Sequence, residues 1–298
     1  MERLFRRILV PLDGSGEAES VFPYLRDLAP RFGSQVDILG VGIGGKRRRV
    51  NRLLKEYVDK VAVGLHSDSI EAKPVFLYGS AADEILDYTE RNSIDLIIMA
   101  THGRGGITRW WMGSIAQKVI SEARPPVLLV RSKLLEETEA VRSLPFLKIL
   151  APLDGSDIGE AALSHADKLS IETGASVILL QVIQPPGTIG ATTMLVSATE
   201  DAVRAMHDAG ENYLSGVAER LGEKGIKTTY EVVTGDPADK IVEYAEDKRV
   251  SLIAMSTHGR GGIARWVLGS VADKVLHGTK IPVLLVRSPR MICPRPKD

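Results

Sequence analysis

Met99-Ala100-Thr101-His102-Gly103-Arg104-Gly105-Gly106, followed after six intervening residues by Gly113-Ser114, returns in the second half as Met255-Ser256-Thr257-His258-Gly259-Arg260-Gly261-Gly262 and, at the same interval, Gly269-Ser270. Self-similarity over such a span fixes the domain count before any local reading. The repeat extends to both ends of each half. Ile8-Leu9-Val10-Pro11-Leu12-Asp13-Gly14-Ser15 answers to Ile149-Leu150-Ala151-Pro152-Leu153-Asp154-Gly155-Ser156, and Pro126-Val127-Leu128-Leu129-Val130-Arg131-Ser132 to Pro282-Val283-Leu284-Leu285-Val286-Arg287-Ser288. The expected organisation is one domain over 1–132, a charged linker over 133–145, a second copy over 146–288 and a Pro-rich tail over 289–298. Each copy is large enough to bury most of its unfolded surface.

Short apolar runs alternate with amphipathic stretches, the pattern of a parallel sheet covered on both faces. In the first copy Ile8–Leu12 reads as a strand, and Val21, Tyr24, Leu25, Leu28, Ala29 and Phe32 share one face of a helix that Gly33 ends. Strands at Val36–Val41, Val75–Tyr78, Leu96–Met99 and Val127–Arg131 follow, with helices over Arg52–Leu65, from Ser80, and over Ser114–Glu122. Ser80 with Asp83, and Asp236-Pro237 in the second copy, read as helix starts. The copies lie 141 residues apart at Asp13/Asp154 and 156 apart at Gly79/Gly235, so the second carries an insertion between its second and third strands that includes Pro185–Gly190. We read it as a longer loop, with a lid as the alternative.

Lysine plus arginine and aspartate plus glutamate both number 38, which gives no global electrostatic reason to seek nucleic acid or an anionic membrane. The only cysteine is Cys293, which excludes a disulfide framework and a thiolate cluster. No apolar run reaches spanning length, and the expectation is a cytoplasmic protein.

Glycines let a backbone approach a ligand closely, and a helix beginning at Ser114 points unpaired N–H groups and a positive dipole end outward. Arg104 and Arg260 add charge in the same loops. Two readings are open: a phosphate cradle, or a tight strand-to-helix crossover with a solvated arginine. Asp13 and Asp154 close the first strand of each copy, where a carboxylate either accepts from ribose hydroxyls or caps the next turn. His102 and His258 stand beside the loop, to touch phosphate or to position the turn. Trp110, Trp111 and Trp266 are read as packing residues, and Lys46–Arg49 as a solvated basic turn within reach of the ligand edge.

These residues resemble the universal stress protein family, whose signature is GxxG, nine residues, then G followed by S or T, after a strand ending in Asp. The match here is Ala100-x-x-Gly103, nine residues, Gly113-Ser114, and Ser256-x-x-Gly259, nine residues, Gly269-Ser270. Ala100 and Ser256 replace the first glycine; a β-carbon there would cost roughly 1 kcal/mol if the backbone had positive φ.

The resemblance implies an α/β fold of two doubly wound domains, each a five-stranded parallel sheet of order 3-2-1-4-5, paired antiparallel through the fifth strands into an internal pseudo-dimer, with further homodimerisation open. It implies ATP, with Mg²⁺ held by the phosphates, in a sensor or regulator of the stress response with at most slow hydrolysis. Pro11, Leu12, Asp13, Val41, Met99, Ala100, His102, Gly103, Arg104, Gly113, Ser114, Ile115 and Ala116 would form the first site. Pro152, Leu153, Asp154, Val182, Met255, Ser256, His258, Gly259, Arg260, Gly269, Ser270, Val271 and Ala272 would form the second. The alternatives are an interaction module whose nucleotide sites have lapsed, and an adenylating enzyme of related fold. The adenylating enzyme is disfavoured because Asp13-Gly14-Ser15-Gly16 stands where a Ser-Gly-Gly-x-Asp-Ser loop would be expected.

Overall fold

A computed structural model describes residues 4–44, 48–101, 112–131, 146–184, 193–257 and 268–288, with backbone alone for 193–199. The loops bearing His102, Gly103, Arg104, His258, Gly259 and Arg260 lie outside these, as do the three tryptophans, the linker, the tail and Pro185–Gly190. The chain divides into two units by packing: the described residues before 145 with Pro282–Arg287, and the described residues of Phe146–Ala264 with Leu268–Ile281 and Ser288.

In the first unit the elements run β1 (Arg7–Pro11), α1 (Phe22–Phe32), β2 (Gln35–Gly42), α2 (Arg48–Ser67), β3 (Glu71–Tyr78), α3 (Ala81–Arg91), β4 (Leu96–Ala100), α4 (Ser114–Glu122) and β5 (Val127–Val130). The strand order is β3-β2-β1-β4-β5, all parallel, the doubly wound order expected from the repeat. β1 is the hinge of this arrangement, with Ile8 beside Val36 of β2 and beside Leu96 of β4. Ile8, Leu9, Val10, Leu96, Ile97 and Ile98 are all fully buried, as strands covered on both faces must be. Val283–Val286 (β10) lies antiparallel to β5 within this unit, Leu284 opposite Leu128.

The second unit carries β6 (Lys148–Pro152), α5 (Leu163–Thr173), β7 (Ser176–Ile183), α6 (Thr193–Gly222), β8 (Thr228–Thr234), α7 (Pro237–Asp247), β9 (Leu252–Ser256) and α8 (Ser270–Gly278), with parallel order β8-β7-β6-β9. α6 has 30 residues where α2 has 20, so most of the insertion read from sequence as loop is helix.

Local chemistry explains the helix ends. Gly33 and Gly174 end α1 and α5 at φ +60° and +74°, a region costly for any residue with a β-carbon. Ser34 N–H reaches back to the Ala29 carbonyl at 2.9 Å and completes the stop. Asp236 caps α7 by accepting from the N–H groups of Ala238 and Asp239, whereas Ser80 sits at the start of α3 without a side-chain bond. α2 starts at Arg48, four residues earlier than the apolar periodicity indicates, so Arg48 and Arg49 belong to the helix.

The repeats exchange partners at matched positions. Arg26 of α1 pairs with Asp68 after α2 at 2.7 Å; in the second unit Asp167 of α5 pairs with Lys224 after α6 at 2.5 Å, with the signs reversed. At the helix–sheet contact, a β-carbon on Gly40 of β2 would meet Val58 and Phe76 at 2.8 and 3.2 Å. Its counterpart Gln181 fits because Gly210 of α6 and the smaller Val232 leave room.

Two outcomes follow from these contacts. Asp167→Arg should destabilise the protein, and adding Lys224→Asp should recover a coupling of about 1 kcal/mol or more in a denaturation double-mutant cycle; purely additive losses would refute the exchange. Burial pushes the His165 imidazole below its ordinary value, with the Lys168 charge acting the same way against the opposing Ala161 hydrogen bond and Asp167 charge. The unfolded chain therefore takes up the proton first, and stability is lost as pH falls through the ordinary value of 6.5. His165→Gln should flatten that loss in urea denaturation between about pH 7.5 and 5.

Candidate functional site

In an open parallel sheet whose strand order reverses beside β1, the crevice lies beyond the carboxyl ends of β1 and β4. Pro11 ends β1 and Ala100 ends β4, in register two strands side by side. Leu12 continues from β1 through an N–H bond to Leu39 O of 2.8 Å, and its side chain is buried with Met99. Pro11, Asp13 and Val41 are half-exposed on the same edge.

Asp13 and Asp154 make the same turn. Asp13 Oδ1 accepts from Ser15 N–H at 3.0 Å and Ser15 Oγ–H at 2.5 Å, and Ser15 Oγ in turn accepts from Ala18 N–H at 3.3 Å. Asp154 Oδ1 accepts from Ser156 N–H at 3.0 Å and Ser156 Oγ–H at 2.6 Å, and Ser156 Oγ accepts from Gly159 N–H at 3.0 Å. The turn-capping alternative is thus realised by one carboxylate oxygen in each repeat. Ser15 and Ser156 complete the turn, a role not assigned to them from sequence, although Asp-x-Ser in both copies was there to be seen.

A second feature absent from the sequence reading anchors the segment after this turn. Tyr57 of α2 donates its hydroxyl to Glu19 at 2.8 Å, and Tyr213 of α6 to Glu160 at 2.7 Å. Burial, the hydrogen bond to Glu160 and the charges of Glu160 and Asp154 hold the Tyr213 phenol well above its ordinary range, so it stays a donor.

On the other side, Thr101 N–H bonds Val130 O at 2.9 Å, and Thr101 O accepts from Gly113 N–H at 2.9 Å. Thr257 O accepts from Gly269 N–H at 2.8 Å. These bonds hold the start of α4 against the end of β4, and of α8 against β9. Gly113 and Gly269 occupy the cap position at φ −60° with no side-chain cap bond. Ser114 and Ile115 are exposed beside them and Ala116 is buried; in the second unit Ser270 is exposed, Val271 half-exposed and Ala272 buried. An uncapped start of this kind offers N–H donors and a positive dipole end to an anion. Asp273 stands in the first turn of α8, where α4 has Gln117.

Ala100 and Ser256 each close a strand in extended backbone and neither has positive φ, so the β-carbon carries no backbone strain at either position. In the second unit Pro152, Leu153, Asp154, Val182, Met255 and Ser256 repeat the placement, Leu153, Met255 and Ser256 being buried. Among the described residues no group of three or more His, Cys, Asp or Glu is placed to hold a metal ion, and no helix is long and apolar enough to cross a membrane.

Residues 47–131 and 145–287 match the model of the universal stress protein family. The chain belongs to that family. A universal stress protein of Methanocaldococcus jannaschii is 34% identical over 145 residues, 49% of this chain and 84% of its own. One from Mycobacterium bovis is 25% identical over 202 residues, 66% of this chain and 63% of its own. The crystal structure of a universal stress protein from Archaeoglobus fulgidus shares the fold at TM-score 0.69 and 20% identity, covering 95% of this chain and 98% of that one.

The turn gives a test of its own. Asp13→Ala should cost about 1–3 kcal/mol, since two donors lose a charged acceptor, while Asp13→Asn, whose amide oxygen still accepts, should cost less than half as much. Chemical denaturation of the two variants measures this, and equal losses would refute the turn's dependence on that oxygen.

Proposed function

We propose that this universal stress protein binds ATP in each crevice and acts as a nucleotide-dependent sensor or regulator rather than as a dedicated enzyme. The observation that carries the reading is the pairing, twice in one chain, of a strand-end aspartate with an uncapped, glycine-led helix start bonded to the neighbouring strand. A carboxylate on one wall and amide donors on the other suit a ribose and a phosphate chain respectively.

Pro11, Leu12, Asp13, Val41 and Met99 would hold the nucleoside, and Gly113, Ser114, Ile115 and Ala116 the phosphates; Pro152, Leu153, Asp154, Val182 and Met255, with Gly269, Ser270, Val271 and Ala272, would do so in the second repeat. Ala100 and Ser256 would border the phosphates. His102, Gly103, Arg104, His258, Gly259 and Arg260 are assigned by sequence position alone. Mg²⁺, when present, would be held chiefly by the nucleotide's oxygens, as this ion usually is. Pairing of the repeats through Val127–Val130 and Val283–Val286, and a cytoplasmic location, belong to the same reading.

Asp273 near the start of α8 opposes a polyanion that Gln117 does not, so the first site should be the tighter. Gly113 has room for a β-carbon, the nearest atom being Thr101 O at 3.4 Å, and its φ suits other residues. Gly113→Val should therefore fold yet block approach of a ligand to the helix start. ATP at about 100 times its dissociation constant should stabilise the wild type by about 2.7 kcal/mol in a thermal or chemical melt. Gly113→Val should remove the tighter phase in calorimetry and Gly269→Val the weaker; unchanged isotherms in folded variants, or none in the wild type, would overturn the proposal.

A further inference from the structure

The start of α2 violates the usual electrostatics of helices. Arg48, Arg49, Arg52 and Lys55 crowd its first two turns, and no acidic residue lies in the first turn. Positive charge at the positive end of a helix dipole is unfavourable. α3 and α7 follow the opposite rule, with Asp83 and Glu84 in one first turn and Asp239 in the other. Arg52 faces Glu56 only at 3.6 Å, and no ion pair to Arg48, Arg49 or Lys55 occurs among the described residues.

Three of these cations line a groove of about 470 Å³ together with Ile43, Gly44, Asn51 and Tyr78. The groove is held open by local structure. Asn51, buried at 7% exposure, accepts from Ile43 N–H at 3.1 Å and donates to Ile43 O at 2.8 Å, tying the end of β2 to α2. The Tyr78 ring is braced edge-on against Phe76 at 5.3 Å between centroids. Tyr78 and Ile43 nonetheless remain 63% and 54% exposed, an apolar wall facing a cationic one.

The second repeat lacks this combination. At the matching positions Asp208 replaces Arg52, Glu211 replaces Lys55 and Thr234 replaces Tyr78, with only Arg204 keeping the charge of Arg48. At Arg26–Asp68 and Asp167–Lys224 the repeats reverse both partners together. Here one side of the balance is absent.

The geometry points to a binding site in this groove, present in the first repeat alone, for a soluble phosphomonoester with a flat apolar body. Arg48, Arg52 and Lys55 take the dianion, and Tyr78 and Ile43 cover the ring. The volume suits a small aryl phosphate. The site lies at the ends of β2 and β3, shares no residue with those assigned to ATP, and stands whether or not that assignment holds.

Calorimetric titration of the full chain with 1-naphthyl phosphate tests it, with 1-naphthol and inorganic phosphate as partial ligands. Binding should occur at one site per chain, exceed that of either partial ligand, and weaken as salt rises from about 0.05 to about 0.5 M. Arg52→Asp with Lys55→Glu, which writes in the second repeat's residues, should weaken it at least about tenfold. Tyr78→Ala should weaken naphthyl phosphate and leave inorganic phosphate unchanged, a readout that survives if the charge variant fails to fold. Gly113→Val and saturating ATP should leave it unaltered. No binding to the wild type, competition by ATP, retained affinity in the folded charge variant, or capture by phosphatidic acid vesicles without binding of the soluble ester would each overturn the proposal.

Discussion

Everything in each repeat depends on one strand hydrogen-bonding in parallel to two neighbours that follow it by opposite routes. β1 pairs with β2, the next strand in the chain, and with β4, reached only after β2 and β3 have been laid down on the far side. Right-handed crossovers then require the connections to cover opposite faces, and the chain leaves the two central strand ends in diverging directions. The crevice between Asp13 and Thr101 is a consequence of that reversal. Its walls come from segments almost ninety residues apart, yet each needs only a few local bonds to be fixed, because the buried strands already place them.

Having the unit twice shows which contacts act as couples. Reversal of the Arg26–Asp68 pair into Asp167–Lys224 keeps an attraction while changing both side chains, and Gln181 over Gly210 keeps the packing that Gly40 under Phe76 achieves differently. The exposed version of the ion pair contributes little by itself. In the second unit the carboxylate side chain is only 10% exposed, so losing the lysine alone would leave a poorly solvated charge. Such couples are constraints on pairs of residues, which is why neither partner is recognisable alone.

That distinction also separates what the sequence makes legible from what it does not. Strand cores such as Ile97–Met99 and the stop at Gly33 follow from rules acting within a few residues, and they appear where periodicity and glycine place them. The start of α2 does not, because it is tied to the end of β2 by Asn51 rather than by an apolar stripe. Ser80 looks like a cap by composition but makes no cap bond, whereas Asp236 does. The Tyr57–Glu19 and Tyr213–Glu160 tethers join residues 38 and 53 apart, beyond any local pattern, although their recurrence at matched positions was visible in the repeat itself. Of the site, the strand-end aspartates and helix-start glycines were readable as types; that one aspartate oxygen is spent on the serine turn required coordinates.

The contrast between helix starts is the sharper guide to function. α3 has acidic residues in its first turn, and Lys118 of α4 reaches Asp83 there at 2.6 Å; α7 has a full aspartate cap, with Lys274 of α8 on Asp236 at 3.3 Å. These helices are stabilised in the ordinary way. α4 and α8, only nine residues each, forgo a side-chain cap at the same position in both repeats, although a serine, threonine, aspartate or asparagine in place of Gly113 or Gly269 would stabilise a short helix by roughly a few tenths of a kcal/mol. Such a side chain would occupy the space over the first N–H groups. A glycine there gives up that stabilisation and leaves the donors open, a sacrifice that makes physical sense where an external acceptor is to take the cap's place.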